Sequence, residues 1–175
     1  MSLKNARKLK VLIIQITKQI MWFGIFEKYK MPNKLHPELQ KVVNQLKRKS
    51  KINIIKGAYD VVTTKFTSSN WKTYTHLPEI IQRDTNRLWD RNFLYCTHQN
   101  FLIRLILIKT GKFKEKDIKL KRGLAHWLSP HQWLRIKVGN KWTDVDAWGR
   151  SYGVPFGKNA HGFNSSFNKK FMKKI

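Results

Sequence analysis

The chain holds a single thiol, Cys96, with His131 lying 35 residues after it and Asp146 a further 15 residues on. Cysteine does chemistry as the thiolate, and the unpaired N–H groups and macrodipole of a helix N-terminus favour that negative form. Cys96 immediately precedes residues 97–108, where Phe101, Leu102, Ile103, Leu105, Ile106, Leu107 and Ile108 are apolar nearly all round. The spacing predicts a buried helix with the thiol at its start and Gly111 as its stop. An inert buried cysteine has the same local appearance, so the thiol acquires meaning only from its partners.

Those partners sit on a hairpin whose geometry follows from its turn. Residues 132–138 and 141–147 read as strands joined by the two-residue turn Gly139-Asn140. That turn pairs Val138 with Lys141, Leu134 with Val145, Trp133 with Asp146 and His131 with Trp148. Alternation then sends Leu134, Ile136, Val138, Thr143, Val145 and Ala147 to one side. His131, Trp133, Arg135, Trp142, Asp144, Asp146 and Trp148 go to the other. On this second face His131 is the diagonal neighbour of Asp146, about 7–8 Å away between backbones and within side-chain reach. Asp146 would accept from one imidazole nitrogen and orient the ring, while Asp144, opposite Arg135, makes a cross-strand ion pair. A surface polar pair is the plainer alternative for His131 and Asp146.

The run from His131 to Asp146, HQWLRIKVGNKWTDVD, resembles the signature of the transglutaminase-like cysteine acyl-transfer superfamily. Its features are a His, a Trp two residues on, a hydrophobic strand, a Gly-containing turn, a Trp and a closing Asp. Cys96, its apolar helix and Gly111 are similar to that family's nucleophile helix, and both separations fit. Leu94 and Tyr95 stand where the family often has a Gly. The resemblance implies an α+β, papain-related fold, with N-terminal helices and a nucleophile-bearing buried helix packed on a small antiparallel sheet. It also implies a Cys96, His131, Asp146 triad that attacks an amide carbonyl and forms a thioester, which water or an amine resolves. The Cys96 backbone N–H would be one oxyanion donor, with Trp71, Gln82 and Trp89 as candidates for the second. Trp133 and Trp148 would line the cleft. Peptide or isopeptide hydrolysis is the favoured outcome and crosslinking the next, on a peptide or protein substrate and without a cofactor.

Upstream, the elements needed to position this machinery are helical. Pro37 suits the start of a helix over residues 38–49, with Leu39, Val42, Val43 and Leu46 on one face. Residues 50–64 continue as another helix, with Ile54, Ala58, Val61 and Val62 sharing a face. Residues 65–83 show no sustained period and read as an irregular connection, followed by a short helix within 79–88. Residues 117–120 read as a short strand. The chain thus divides into an N-terminal helical extension (1–34), the transglutaminase-like domain (35–165) and a basic tail (166–175). Apolar residues at 11–14, 16 and 20–26 are interrupted by Gln15, Thr17, Lys18 and Gln19. They fall short of the ~20 residues of a membrane span and suggest a docking or interfacial helix.

Composition bounds the partners. Lys plus Arg number 36 against 10 Asp plus Glu, a net charge of +26, which points to acidic substrates, nucleic acid or an anionic surface. Nine of the cations are Arg, the residue best shaped for phosphate forks, and lysine is spread from end to end. A basic nucleic-acid-binding or anionic-surface-binding protein with an inactive transglutaminase-like fold is therefore the alternative reading. A single cysteine excludes an intrachain disulfide and any zinc site built on a Cys pair. His98, His126 and His131 match no familiar ligand spacing, and no phosphate-loop motif occurs. The expected location is the cytoplasm, with peripheral membrane attachment through the N-terminal helix as the variant.

Overall fold

The structure is a computed structural model that describes residues 28–68, 77–125 and 129–161. The expected helix at 11–26 and the basic tail at 166–175 lie outside the described residues, and among the described residues no helix is long and apolar enough to cross a membrane. Helix α1 spans Pro37–Leu46, with proline in its first turn where a missing N–H costs nothing. It buries Leu39, Val43 and Leu46. Helix α2, Lys51–Lys65, buries Ile54, Ile55, Ala58, Tyr59 and Val62. The expected single helix within 79–88 is instead two pieces, a 3-10 turn at Leu77–Ile81 and α3 at Thr85–Trp89. Asp84 causes the break, because its carboxylate accepts from the Asn86 N–H and caps a new helix.

Helix α4, Cys96–Lys109, is the axle of the molecule, buried at every position from Thr97 to Leu107. It touches α1, α2, strand β2 (Ser129–Val138) and the short helix α5 (Ala147–Arg150). The sheet is antiparallel, ordered β1 (Ile118–Ala125), β2 (Ser129–Val138), β3 (Lys141–Val145). Five α-helices packed on three strands make an α+β fold, as expected.

The register of the second hairpin follows the two-residue turn, with Val138 opposite Lys141, Arg135 opposite Asp144 and Leu134 opposite Val145. Gly139 supplies the positive φ of 58° that this turn demands. Two strand limits differ from the sequence reading. β1 runs to Ala125 rather than stopping at Leu120, its pattern hidden because Lys119, Lys121 and Arg122 face solvent along an edge strand. β3 stops at Val145, so Trp133 is not paired with Asp146, nor His131 with Trp148. Asp146 leaves the ladder to cap the short helix α5, Ala147–Arg150, its carboxylate accepting from the Gly149 N–H at 2.9 Å.

Candidate active site

Cys96 opens α4 with Tyr95 as the N-cap, and no side chain caps this end. The first intrahelical bond is donated by the Gln99 N–H to the Tyr95 carbonyl, so the N–H groups of Cys96, Thr97 and His98 have no partner within the helix. The segment leading into Cys96 is held from two sides. Thr67 and Phe93 form a parallel bridge. Gln99, one turn into the helix, donates from Nε2 to the Leu94 carbonyl and to the Ser68 hydroxyl, both at 3.0 Å. Cys96 itself is half-buried and free.

His131 arrives from β2. Asn100 on α4 donates to the Gln132 carbonyl at 2.8 Å, which ties the strand to the helix one residue from His131 and four from Cys96. The imidazole Nε2 lies 2.8 Å from the Asp146 Oδ2. Because an ionised carboxylate can only accept, Nε2 carries the hydrogen. That leaves Nδ1 free of the carboxylate, and Cys96 lies close enough to the ring to help raise its pKa. His131 and Asp146 are each 2% exposed. Burial alone would lower the imidazole pKa, but the Asp146 charge and hydrogen bond, with a further contribution from Cys96, raise it to about 10. The ring is thus an imidazolium at neutral pH, flanked by its carboxylate and its thiol.

Asp146 is fully committed. Oδ1 accepts from the Gly149 N–H, and Oδ2 accepts from His131 and from the Ala160 N–H, the latter at 2.8 Å. Its neighbour Asp144 takes the other role, 3.3 Å from Arg135 Nε and accepting from the Asn159 side chain at 2.7 Å. The three residues singled out from the sequence are therefore brought together, by a helix start, a strand and a helix cap. The route to Asp146 differs from the expected one: the carboxylate reaches His131 from a cap position beyond the ladder.

The tryptophans are packed against the imidazole. Trp133 stacks on His131 at 6.1 Å between centroids and 20° between planes, and is 5% exposed. Trp148 approaches the ring at 4.8 Å and 45°. They hold the imidazole in place more than they face open space. Of the candidates for a second oxyanion donor, Trp89 is spent, its indole N–H donating to the Glu38 carboxylate at 2.7 Å. Gln82 turns its side-chain oxygen onto the N–H groups of Arg83 and Asp84. Trp71 lies outside the described residues, as does His126. His98, 0% exposed, is a core histidine whose Nε2 meets the Ile80 carbonyl at 3.1 Å. Among the described residues no cluster of His, Cys, Asp or Glu is arranged to hold a metal.

Ala160, Asn159 and His161 had no signal in the sequence reading, since a backbone donor arriving from a distant loop leaves no residue pattern. Gln99 and Asn100 did leave one: they are polar residues inside an otherwise apolar helix, where each needs a partner. No protein-family model, curated protein or solved structure matches this chain.

Proposed function

We propose that this chain is a cysteine enzyme of amide acyl transfer or hydrolysis, with Cys96 as nucleophile, His131 as proton carrier and Asp146 as the group that orients and charges the imidazole. One observation carries the reading: a buried imidazole is bound by Nε2 to a buried carboxylate, with its other nitrogen left over and the thiol of an uncapped helix start as its electrostatic neighbour. A structural histidine has no need of that arrangement. His98, in the core of the same molecule, has burial depress its pKa to about 4 and so is neutral.

In the proposed reaction the thiolate sulfur attacks the amide carbonyl carbon, forming a C–S bond as the carbonyl electron pair moves to oxygen. The oxyanion meets the N–H of Cys96 at the helix start, which has no partner within the helix. Collapse breaks the C–N bond, and the leaving nitrogen takes the proton from His131 Nδ1, giving free amine and thioester. Water or an amine then gives its proton to Nδ1 and attacks the thioester carbonyl, and collapse of this second intermediate breaks the C–S bond, releasing the acid or new amide and restoring the thiolate beside the imidazolium. Asp146 keeps Nε2–H in place throughout and is not itself protonated.

A helix bearing its thiol at the start, packed on a sheet that delivers the histidine, is the arrangement that resemblance to transglutaminase-like enzymes implies. We read the fold in that papain-related sense and favour hydrolysis of peptide or isopeptide bonds over crosslinking. The net charge of +26 favours acidic substrates.

The deciding experiment is the pH dependence of Cys96 alkylation in the folded protein and in His131→Ala. A thiolate–imidazolium pair predicts rapid alkylation well below the ordinary thiol range near about 8.5, and roughly tenfold or greater slowing at pH 6 in the variant. A thiol that is unreactive, or indifferent to His131, overturns the reading. Nucleic-acid affinity that falls steeply with salt and is blind to alkylation would then support the binding-protein alternative.

A further inference from the structure

Beyond α5 the chain turns back over the site, and residues 157–161 make a contact with the catalytic hairpin or with β1 at nearly every step. Gly157 bridges to Asp144. Asn159 donates to the Asp144 carboxylate at 2.7 Å while its side-chain oxygen accepts from the His161 N–H at 3.0 Å. Ala160 donates its N–H to Asp146 Oδ2, the oxygen that also holds His131. His161 then lies on β1: its Nδ1 accepts from the Leu124 N–H at 3.1 Å, and its ring stacks on Trp133 at 5.5 Å and 18°.

Gly123 makes that last placement possible. It pairs with His131 across the β1–β2 ladder, and a Cβ at this position would lie 2.1 Å from His161 Nδ1 and 2.6 Å from its Cγ. No side chain other than hydrogen leaves room for the imidazole. Three rings therefore stand in file, His161, Trp133 and His131, with the first seated in a notch and the last doing the proposed chemistry.

We propose that residues 157–161 form a strap that positions the catalytic carboxylate, latched by His161 in the notch over Gly123. The strap supplies Asp146 with its Ala160 hydrogen bond and presses Trp133 against His131. His161 and Gly123 are positioning residues, acting through Trp133 and Asp146. The role in catalysis rests on the cysteine-enzyme reading, whereas the latch itself is a statement about the His131–Asp146 pair and can be read without turnover.

The test uses the full chain and the variants His161→Ala, Gly123→Ala and the double variant, with two readouts. One is the downfield proton resonance of His131 Nε2–H, which reports the bond to Asp146. The other is Cys96 alkylation at pH 6. The latch predicts that His161→Ala alone broadens or shifts the imidazole proton and slows alkylation roughly tenfold, the scale of losing a hydrogen bond to a charged group. Gly123→Ala should do the same, and the double variant should be no worse than either, because once the ring is gone the notch has nothing to hold. If His161→Ala leaves the imidazole proton where it is in the parent chain, the proposal is overturned, whether or not Gly123→Ala folds. A parent chain whose thiol is inert but whose imidazole proton moves on His161→Ala would keep the latch and remove the enzyme.

Discussion

The two buried histidines set opposite pH limits on stability. Burial holds His98 neutral with its pKa lowered to about 4, against an ordinary 6.5. A histidine with a depressed pKa contributes stability that is fully present above about pH 6.5 and is lost as pH falls toward 4, up to about 3 kcal/mol in all. His131 is raised to about 10, so its contribution is fully present below about pH 6.5 and is lost as pH rises toward 10. The expected outcome is that His98→Gln shows a shallower fall of melting temperature than the parent chain between pH 6.5 and 4. The two should respond alike from pH 8 to 10, where His131 governs. Melting curves on both proteins across that range check the sign; an identical acid limb would mean that His98 is solvated. At this scale the sequence singled out Cys96, His131 and Asp146 only as a set, because each alone reads equally as an inert thiol or a surface polar residue. The pairing of Asp144 with Arg135 was legible from cross-strand position, whereas Asp146 reaches His131 from a helix cap beyond the ladder.

Among elements, α4 carries the argument. Its apolar residues face in all directions, so its polar members lie inside the protein, where an unmade hydrogen bond is costly. Asn100 meets the Gln132 carbonyl, and Arg104 reaches the Glu115 carboxylate at 2.6 and 3.1 Å and the Tyr29 carbonyl at 2.6 Å. Asn100→Leu is expected to strand the buried Gln132 carbonyl, costing about 1–3 kcal/mol, and to slow Cys96 alkylation because it loosens the strand that delivers His131. Urea denaturation together with the alkylation rate checks this, and a stability loss with unchanged reactivity would separate the two roles. The hairpin register was readable because a two-residue Gly-Asn turn leaves little freedom in pairing. The end of β3 was not, since an aspartate that continues a ladder and one that caps a helix look the same in sequence. Only the three-dimensional return of residues 157–161 separates those outcomes.

At the level of the whole molecule, charge is divided unequally between structure and surface. Each of the nine acidic residues among the described ones has an assigned partner. Glu38 takes Trp89, Asp60 takes Arg150, Glu79 takes Arg91, and Asp84 caps α3. Asp90 meets His36, Glu115 meets Arg104, and Asp117 accepts from the Lys114 N–H. Asp144 meets Arg135 and Asp146 meets His131. The acids are committed locally, and the excess of 26 cations has no internal counterweight. Self-repulsion of that size destabilises the compact state and is screened over about 10 Å at 0.1 M salt. Melting temperature should therefore rise as salt increases from about 20 to 300 mM, in sulfate and chloride alike; a fall would mean that local pairs outweigh the global repulsion. Composition made the charge imbalance plain, but it could not show that the few acids are structural anchors, because that depends on which residues fold against them.

The hydrogen-bond donors to Asp146 also impose an order in time. Cys96 is made first, but the Ala160 N–H and the His161 ring follow it by 64 and 65 residues. At roughly 5–20 residues per second of translation, the thiol exists for several seconds before its carboxylate can be fully held. Throughout that interval the growing chain carries a cysteine whose imidazole partner is not yet secured, so on the proposed cysteine-enzyme reading the nascent polypeptide would be shielded from that chemistry by the direction in which it is built.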